Sequence, residues 1–171
     1  MRERTGVITS KGKPLTLLGP EIRVGDKAPD FRAVDAGLAP VTLSDFKGKI
    51  KIISAVPSLD TPTCDVETRR FNLEAAKLPE KVAVITISLD LPFAQKRWCA
   101  AAGVDKVKIL SDYQDRSFAD VYGVLIKELK LLSRSIFVID ADDVVRYIQH
   151  VRDMSTEPDY AEVLGAVKKL M

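Results

Sequence analysis

Two cysteines, Cys64 and Cys99, and a single histidine, His150, are the side chains of this 171-residue chain best suited to nucleophilic chemistry. A thiol attacks as the thiolate, and a helix amino terminus favours that form because unpaired amides and the positive end of the helix dipole face it. Cys64 is predicted to stand at such a place. Pro57-Ser58-Leu59-Asp60-Thr61-Pro62 is a turn-rich loop, Thr61 can cap the helix that follows, and Pro62 suits its first position. A small buried hydrophobe is the alternative role for Cys64, and the strand-to-helix position favours the activated thiol over it. Cys99, within Arg97-Trp98-Cys99-Ala100-Ala101-Ala102, stays open between a second reactive thiol and one member of a packed helical stripe. Spacing alone does not pair it with Cys64, since a bridge needs Cα atoms within about 7 Å.

Other thiol chemistries fit less well. There is no CxxC and no HxxxH, which disfavours a structural zinc and a local dithiol. A cysteine hydrolase needs a base, and His150 follows Tyr147-Ile148-Gln149 in a predicted strand, where a packed or solvent-facing role is the ordinary one. Lys11-Gly12-Lys13 lacks the remaining positions of a phosphate loop. Without a base, a thiolate must be stabilised by dipole, hydroxyl and cation. Thr61 lies three residues before Cys64, and Arg134, just ahead of a predicted strand, is a candidate cation, with an ordinary surface charge as its alternative. Asp65 suits the helix start, but its charge beside Cys64 opposes the thiolate.

The elements that must position these groups follow from the hydrophobic pattern. Ile50 to Val56 and Val82 to Ser88 are β-branched and mostly apolar runs, as expected of strands covered on both faces. Between them, Thr63 to Leu78 has helical periodicity, and Pro92 to Ala102, with Gly103 behind it, predicts a second helix. Val107 to Leu110, Ser135 to Ile139 and Val144 to Val151 complete the strands, with helices at Arg116 to Tyr122 and Asp159 to Leu170. Short strands are possible at Phe31 to Val34 and Val41 to Leu43. Near the start, Val7-Ile8-Thr9 and Leu15-Thr16-Leu17 flank a glycine turn and predict a hairpin decorating an edge. The order is that of an α/β fold, in which ligands bind at loops following the carboxyl ends of strands.

Composition bounds the rest. At 46% hydrophobic and 29% charged, the sequence is that of one globular domain spanning 1–171, with residues 1–20 as its hairpin extension. Lys plus Arg number 26 against 24 Asp plus Glu, a balance that indicates neither nucleic acid nor a membrane surface as partner. The residues behind Met1-Arg2-Glu3-Arg4 carry no apolar signal segment, so a cytoplasmic setting is expected, where two cysteines do not form a permanent structural bridge.

Pro57-Ser58-Leu59-Asp60-Thr61-Pro62-Thr63-Cys64 resembles the PxxxTxxC motif of peroxiredoxins, and its PSxDTPxC form resembles their thiol peroxidase subfamily. The resemblance extends through Val24 to Phe31, Arg97-Trp98-Cys99, Ile109 to Asp112, Val121 to Val124 and Leu132 to Asp140. It implies a thioredoxin-like fold, a mixed sheet covered by helices with an N-terminal hairpin, and a peroxide reductase using no metal or bound cofactor. It further implies Cys64 as the peroxidatic thiolate, Thr61 orienting sulfur and peroxide, Pro57 shielding the thiolate from water, and Arg134 stabilising the thiolate and developing oxyanion. Cys99 would be the resolving thiol, forming an intramolecular disulfide that thioredoxin or a similar dithiol protein reduces. A homodimer is also implied. If the two helices hold Cys64 and Cys99 apart, the disulfide requires local loosening around Cys64 and Trp98. A redox sensor or binding protein of the same fold is the alternative to an enzyme.

Overall fold

The computed structural model describes residues 1–171. The strands are β1 (Glu3–Ser10), β2 (Lys13–Leu18), β3 (Arg32–Val34), β4 (Pro40–Thr42), β5 (Ile50–Ala55), β6 (Val82–Ser88), β7 (Lys108–Ser111), β8 (Leu125–Ile126), β9 (Ser135–Ile139) and β10 (Val145–His150). The helices are α1 (Pro62–Ala75), α2 (Pro92–Ala102), α3 (Ser117–Tyr122) and α4 (Tyr160–Lys168), and a 3-10 turn spans Leu43–Phe46.

Seven strands form one mixed sheet in the order β10-β9-β5-β6-β7-β3-β4. β5, β6 and β7 run parallel, while β9 pairs antiparallel with β5. Every residue of β5 and of β9 is buried, and successive residues serve opposite faces. Ile53, Ala55, Ile85, Ile87, Phe137 and Ile139 join Phe118 and Tyr122 of α3 in one apolar core. Ile52, Val84, Ile136 and Val138 join Phe71 of α1 and Val163 and Val167 of α4 in the other. Two faces to cover explain why these strands read as continuous apolar runs rather than as alternation. The pattern also places Ser54 on the α1 side and Lys51 on the α3 side. Lys51 is fully buried and pairs with Asp143 at 2.5 Å. Removing such a partner costs about 3–5 kcal/mol, because it leaves a buried charge uncompensated.

The hairpin departs from the edge decoration expected of it. β1 and β2 pair with each other, and β2 pairs with β8 through Leu17 with Ile126 and Leu18 with Leu125. The result is a separate three-stranded sheet, with Ile8, Leu15, Leu17 and Ile126 as its own apolar cluster. β8 contributes only two residues, too few to show as a pattern in the sequence. Elsewhere the predicted elements are present with ends shifted by a few residues, as at α1, which stops at Ala75. α2 ends at Gly103, whose φ of +69° is the left-handed conformation that terminates helices. No helix is long and apolar enough to cross a membrane.

Candidate active site

β5 delivers the chain at Val56 into a loop whose Pro57 is buried, and Pro62 begins α1 after Thr61 in extended conformation. Cys64 therefore lies in the first turn of α1, as predicted, among amides that have no intrahelical acceptor. Its side chain has no solvent exposure and packs with Val56 and Leu59, flanked by Trp98 and Ile109. Thr61 occupies the cap position, but its hydroxyl makes no capping bond and donates instead to the Ser58 carbonyl at 2.8 Å. With its proton so directed, the hydroxyl oxygen keeps its lone pairs available as acceptors.

The loop is itself tied down by Asp90, just after β6. Its carboxylate accepts from the Ser58 hydroxyl at 2.7 Å, the Leu59 amide at 2.9 Å and the Ser88 hydroxyl at 2.7 Å. A cleft of about 430 Å³ opens beside this loop, lined by Leu59, Asp60, Asp90, Gln95, Arg97 and Trp98 among others.

Arg134 is not a surface charge. Its side chain is 2% exposed, and Nη1 lies 3.3 Å from Cys64 Sγ and 2.6 Å from Glu67 Oε2. Nη2 donates to the Met154 carbonyl at 3.0 Å, and Nε is buried without a partner. Burial opposes the charge on Arg134, yet Glu67 and Cys64 outweigh it and hold the guanidinium above its ordinary value. Glu67 was missed in the sequence. It sits one turn after Cys64 on the same helix face, fully buried, with the Ser54 hydroxyl donating to its other oxygen at 3.0 Å. Burial pushes the Glu67 carboxyl up, while Arg134 and Ser54 pull it down. Ser54, on the α1 side of a buried and mostly apolar strand, was the available signal, since a buried hydroxyl needs a partner.

Asp65 is engaged elsewhere. One oxygen accepts from the Trp98 indole N–H at 3.0 Å and the other from Arg69 Nε at 2.9 Å. Arg69 also lies over the Trp98 ring, 5.9 Å from its centroid, and donates to the Ala102 carbonyl at 3.2 Å. The carboxylate beside Cys64 is thus compensated by a cation and an N–H, which weakens the opposition to a thiolate read from the sequence. Both cysteines are free, and Cys99 is half-buried on α2, where burial pushes its thiol up. His150 is not a partner of Cys64. Its Nδ1 hydrogen bonds with the Ser135 hydroxyl at 2.9 Å, its ring packs edge-on to Phe137, and burial lowers its pKa to about 4.

A buried thiol at a helix amino terminus, a guanidinium against its sulfur and a hydroxyl in the same loop can stabilise a thiolate and then the charge released when a bond to sulfur forms. The protein-family model described as Redoxin matches residues 23–164. Thiol peroxidases of Halalkalibacterium halodurans and Bacillus subtilis are 55% and 53% identical, covering 94% and 96% of this chain and 96% and 98% of their own lengths. The crystal structure of a peroxiredoxin-like protein from Aquifex aeolicus superposes with a TM-score of 0.91 at 40% identity, with both chains fully covered. A thiol peroxidase from Chromobacterium violaceum shares the fold, with a TM-score of 0.84 at 23% identity over 95% of each chain. The chain that builds this cysteine site belongs to the Redoxin family and, within it, to the thiol peroxidase peroxiredoxins.

Proposed function

We propose that the protein is a thiol-dependent peroxidase in which Cys64 is the peroxidatic residue. The observation that carries this reading is the 3.3 Å contact between Arg134 and Cys64 Sγ inside a fully buried site at the start of α1. The Cys64 thiolate attacks one oxygen of a hydroperoxide, the O–O bond breaks, and the other oxygen leaves with the electron pair to become water or an alcohol on protonation. Sulfur is oxidised to sulfenic acid. Arg134 stabilises the thiolate before attack and the leaving oxygen after it, and its unpartnered Nε leaves one donor for a substrate oxygen. Thr61 orients the peroxide through its acceptor lone pairs. Pro57, buried in the loop, keeps water from the sulfur.

Cys99 is proposed to resolve the sulfenic acid. Its sulfur attacks Cys64, hydroxide leaves and is protonated to water, and an intramolecular disulfide forms. Thioredoxin or a similar dithiol protein then takes the disulfide by exchange. Holding Cys99 half-buried as a thiol in the resting protein fits this order, because it becomes a nucleophile only when α2 loosens. A cytoplasmic setting and a homodimer belong to the same proposal. Leu91 and Phe93, 51% and 65% exposed, are apolar surface that supports association, and sedimentation equilibrium reads it.

The test is intact mass and thiol count before and after one equivalent of hydrogen peroxide. Wild type should lose both thiols with a mass decrease of about 2 Da, as one S–S bond forms and two hydrogens leave. The Cys99→Ser variant should stop at the sulfenic acid. Survival of both thiols would sink the peroxidase reading, and disulfide-linked dimers would sink the intrachain role of Cys99. Repeated turnover with a dithiol reductant separates an enzyme from a sensor that oxidises once.

A further inference from the structure

The three acceptors around Arg134 come from different parts of the fold. Cys64 and Glu67 are carried by α1, but the Met154 carbonyl belongs to the irregular segment between β10 and α4. That segment has no ladder of its own to fix it. Its ends are held by the Val151 amide on the Arg134 carbonyl at 3.0 Å and the Asp159 amide on Gln149 Oε1 at 2.7 Å, while the stretch between them that carries Met154 is held by the N-terminal hairpin.

The backbone of Thr9 is bonded on both sides, its amide to the Arg152 carbonyl at 2.6 Å and its carbonyl to the Met154 amide at 3.0 Å. The Thr9 hydroxyl donates to Asp153 Oδ2 at 2.8 Å, and the Gly12 amide in the hairpin turn donates to the same oxygen at 3.1 Å. The other Asp153 oxygen accepts from the Ser155 amide and hydroxyl at 3.0 and 2.6 Å, which closes the segment on itself. Bonds from Ser155, Thr9 and Gly12 hold this carboxylate well below the usual range, so it is an anion throughout the neutral region. The Met154 side chain, meanwhile, packs against the hairpin's cluster of Ile8, Leu15, Leu17 and Ile126. The same residue therefore has its side chain in the hairpin core and its carbonyl on Arg134. On the far side, the Ser155 carbonyl accepts from the Thr63 hydroxyl at 3.3 Å, next to Cys64.

We propose that the N-terminal hairpin is part of the active-site apparatus: Thr9 and Asp153 are positioning residues that hold the Met154 carbonyl, and through it the Arg134 guanidinium, against Cys64 Sγ. The inference rests on Arg134 assisting Cys64. A purely structural hairpin would stabilise the fold without any stake in the geometry of that contact.

The experiment compares Asp153→Ala, Asp153→Asn and Thr9→Val with Arg134→Ala in the full chain. It follows single-turnover oxidation of Cys64 by hydrogen peroxide and the pH midpoint for alkylation of Cys64 by iodoacetamide. Misplacing a catalytic group by a fraction of an ångström is expected to slow oxidation by about tenfold in Asp153→Ala. The alkylation midpoint should move to higher pH, and Asp153→Asn, which keeps an acceptor, should recover part of both effects. Thr9→Val removes one hydroxyl from a partly exposed site, so it stays folded and should show a smaller change of the same sign. If Arg134→Ala slows oxidation while Asp153→Ala and Thr9→Val leave rate and midpoint at wild-type values, the hairpin proposal is overturned and the role of Arg134 stands. If Arg134→Ala also leaves both unchanged, the reading of Arg134 falls and takes the hairpin proposal with it.

Discussion

Arg134 and Glu67 form an ion pair from which water is excluded, and such pairs are asymmetric in what their loss does. Removing one partner leaves a buried charge, at about 3–5 kcal/mol, whereas removing both charges together is often close to neutral. Arg134→Ala should therefore lower thermal stability as well as peroxide turnover. Adding Glu67→Gln to that variant should restore much of the stability, since the amide can still accept from Ser54, and none of the turnover. Thermal melts and single-turnover rates on the two variants read the outcome. Recovery of rate along with stability would mean that Arg134 acts only as a structural counterion. At this scale Cys64 and Thr61 were legible from residue type and their place before a helix, whereas Arg134 was one candidate cation among many and was assigned to the site only by the resemblance to peroxiredoxins, since spacing does not say which charge folds onto a sulfur. Glu67, Ser54 and the Met154 carbonyl were not visible. Their roles depend on which strand residue faces which helix face and on a main-chain oxygen, and a main-chain oxygen has no sequence signature.

The Asp65 to Trp98 hydrogen bond joins the residue after one cysteine to the residue before the other. With Arg69 bonded to both Asp65 and the Ala102 carbonyl, it ties the first turn of α1 to α2. Local opening of this kind is governed by a few contacts at the weakly held end of the stability range, so their number sets how often the segment loosens. Trp98→Phe keeps the packing and deletes the N–H donor. It should speed disulfide formation several-fold, in line with about 1 kcal/mol for one hydrogen bond, and lower the fraction of Cys64 overoxidised to sulfinic acid. Stopped-flow resolution of the second oxidation step checks this, and an unchanged or slower step would show that the bond does not restrain α2. Hydrogen exchange should likewise quicken in residues 62–66 and 92–102 once the disulfide forms. Among the elements, long periodic helices and buried strands were legible, whereas β8 was not, since two residues carry no period. The hairpin was legible as a hairpin, yet its partner strand and its placement were not.

Across the whole molecule, half-buried His150 and buried Asp112 respond to acid in opposite senses. His150 has its pKa lowered to about 4 by burial, so between the ordinary value of 6.5 and that point the unfolded chain binds a proton that the native protein refuses. Its contribution to stability is lost as pH falls through this window, by up to about 3 kcal/mol. Asp112 has its pKa raised to about 6, chiefly by burial, although the Phe118 and Ala119 amides donate to it. Here the native protein takes up the proton first, and stability rises as pH falls from about 6 toward 3.8. Wild type should therefore show a shallow dependence between pH 6.5 and 4 in urea unfolding. His150→Gln should gain stability on acidification and Asp112→Asn should lose it more steeply than wild type. Matching slopes for all three proteins would contradict the opposition.

Trp98 is the only tryptophan in the chain, half-buried, bonded to a carboxylate and covered by a guanidinium 5.9 Å from its ring centroid. The indole is thus a fluorophore installed at the joint between the two thiol-bearing helices. Its emission should shift to longer wavelength as peroxide converts the resting state to the loosened one, and return when a dithiol is added. Were the joint to open with each turnover as proposed, a cuvette of unlabelled enzyme would display the catalytic cycle as a change of colour in its ultraviolet glow.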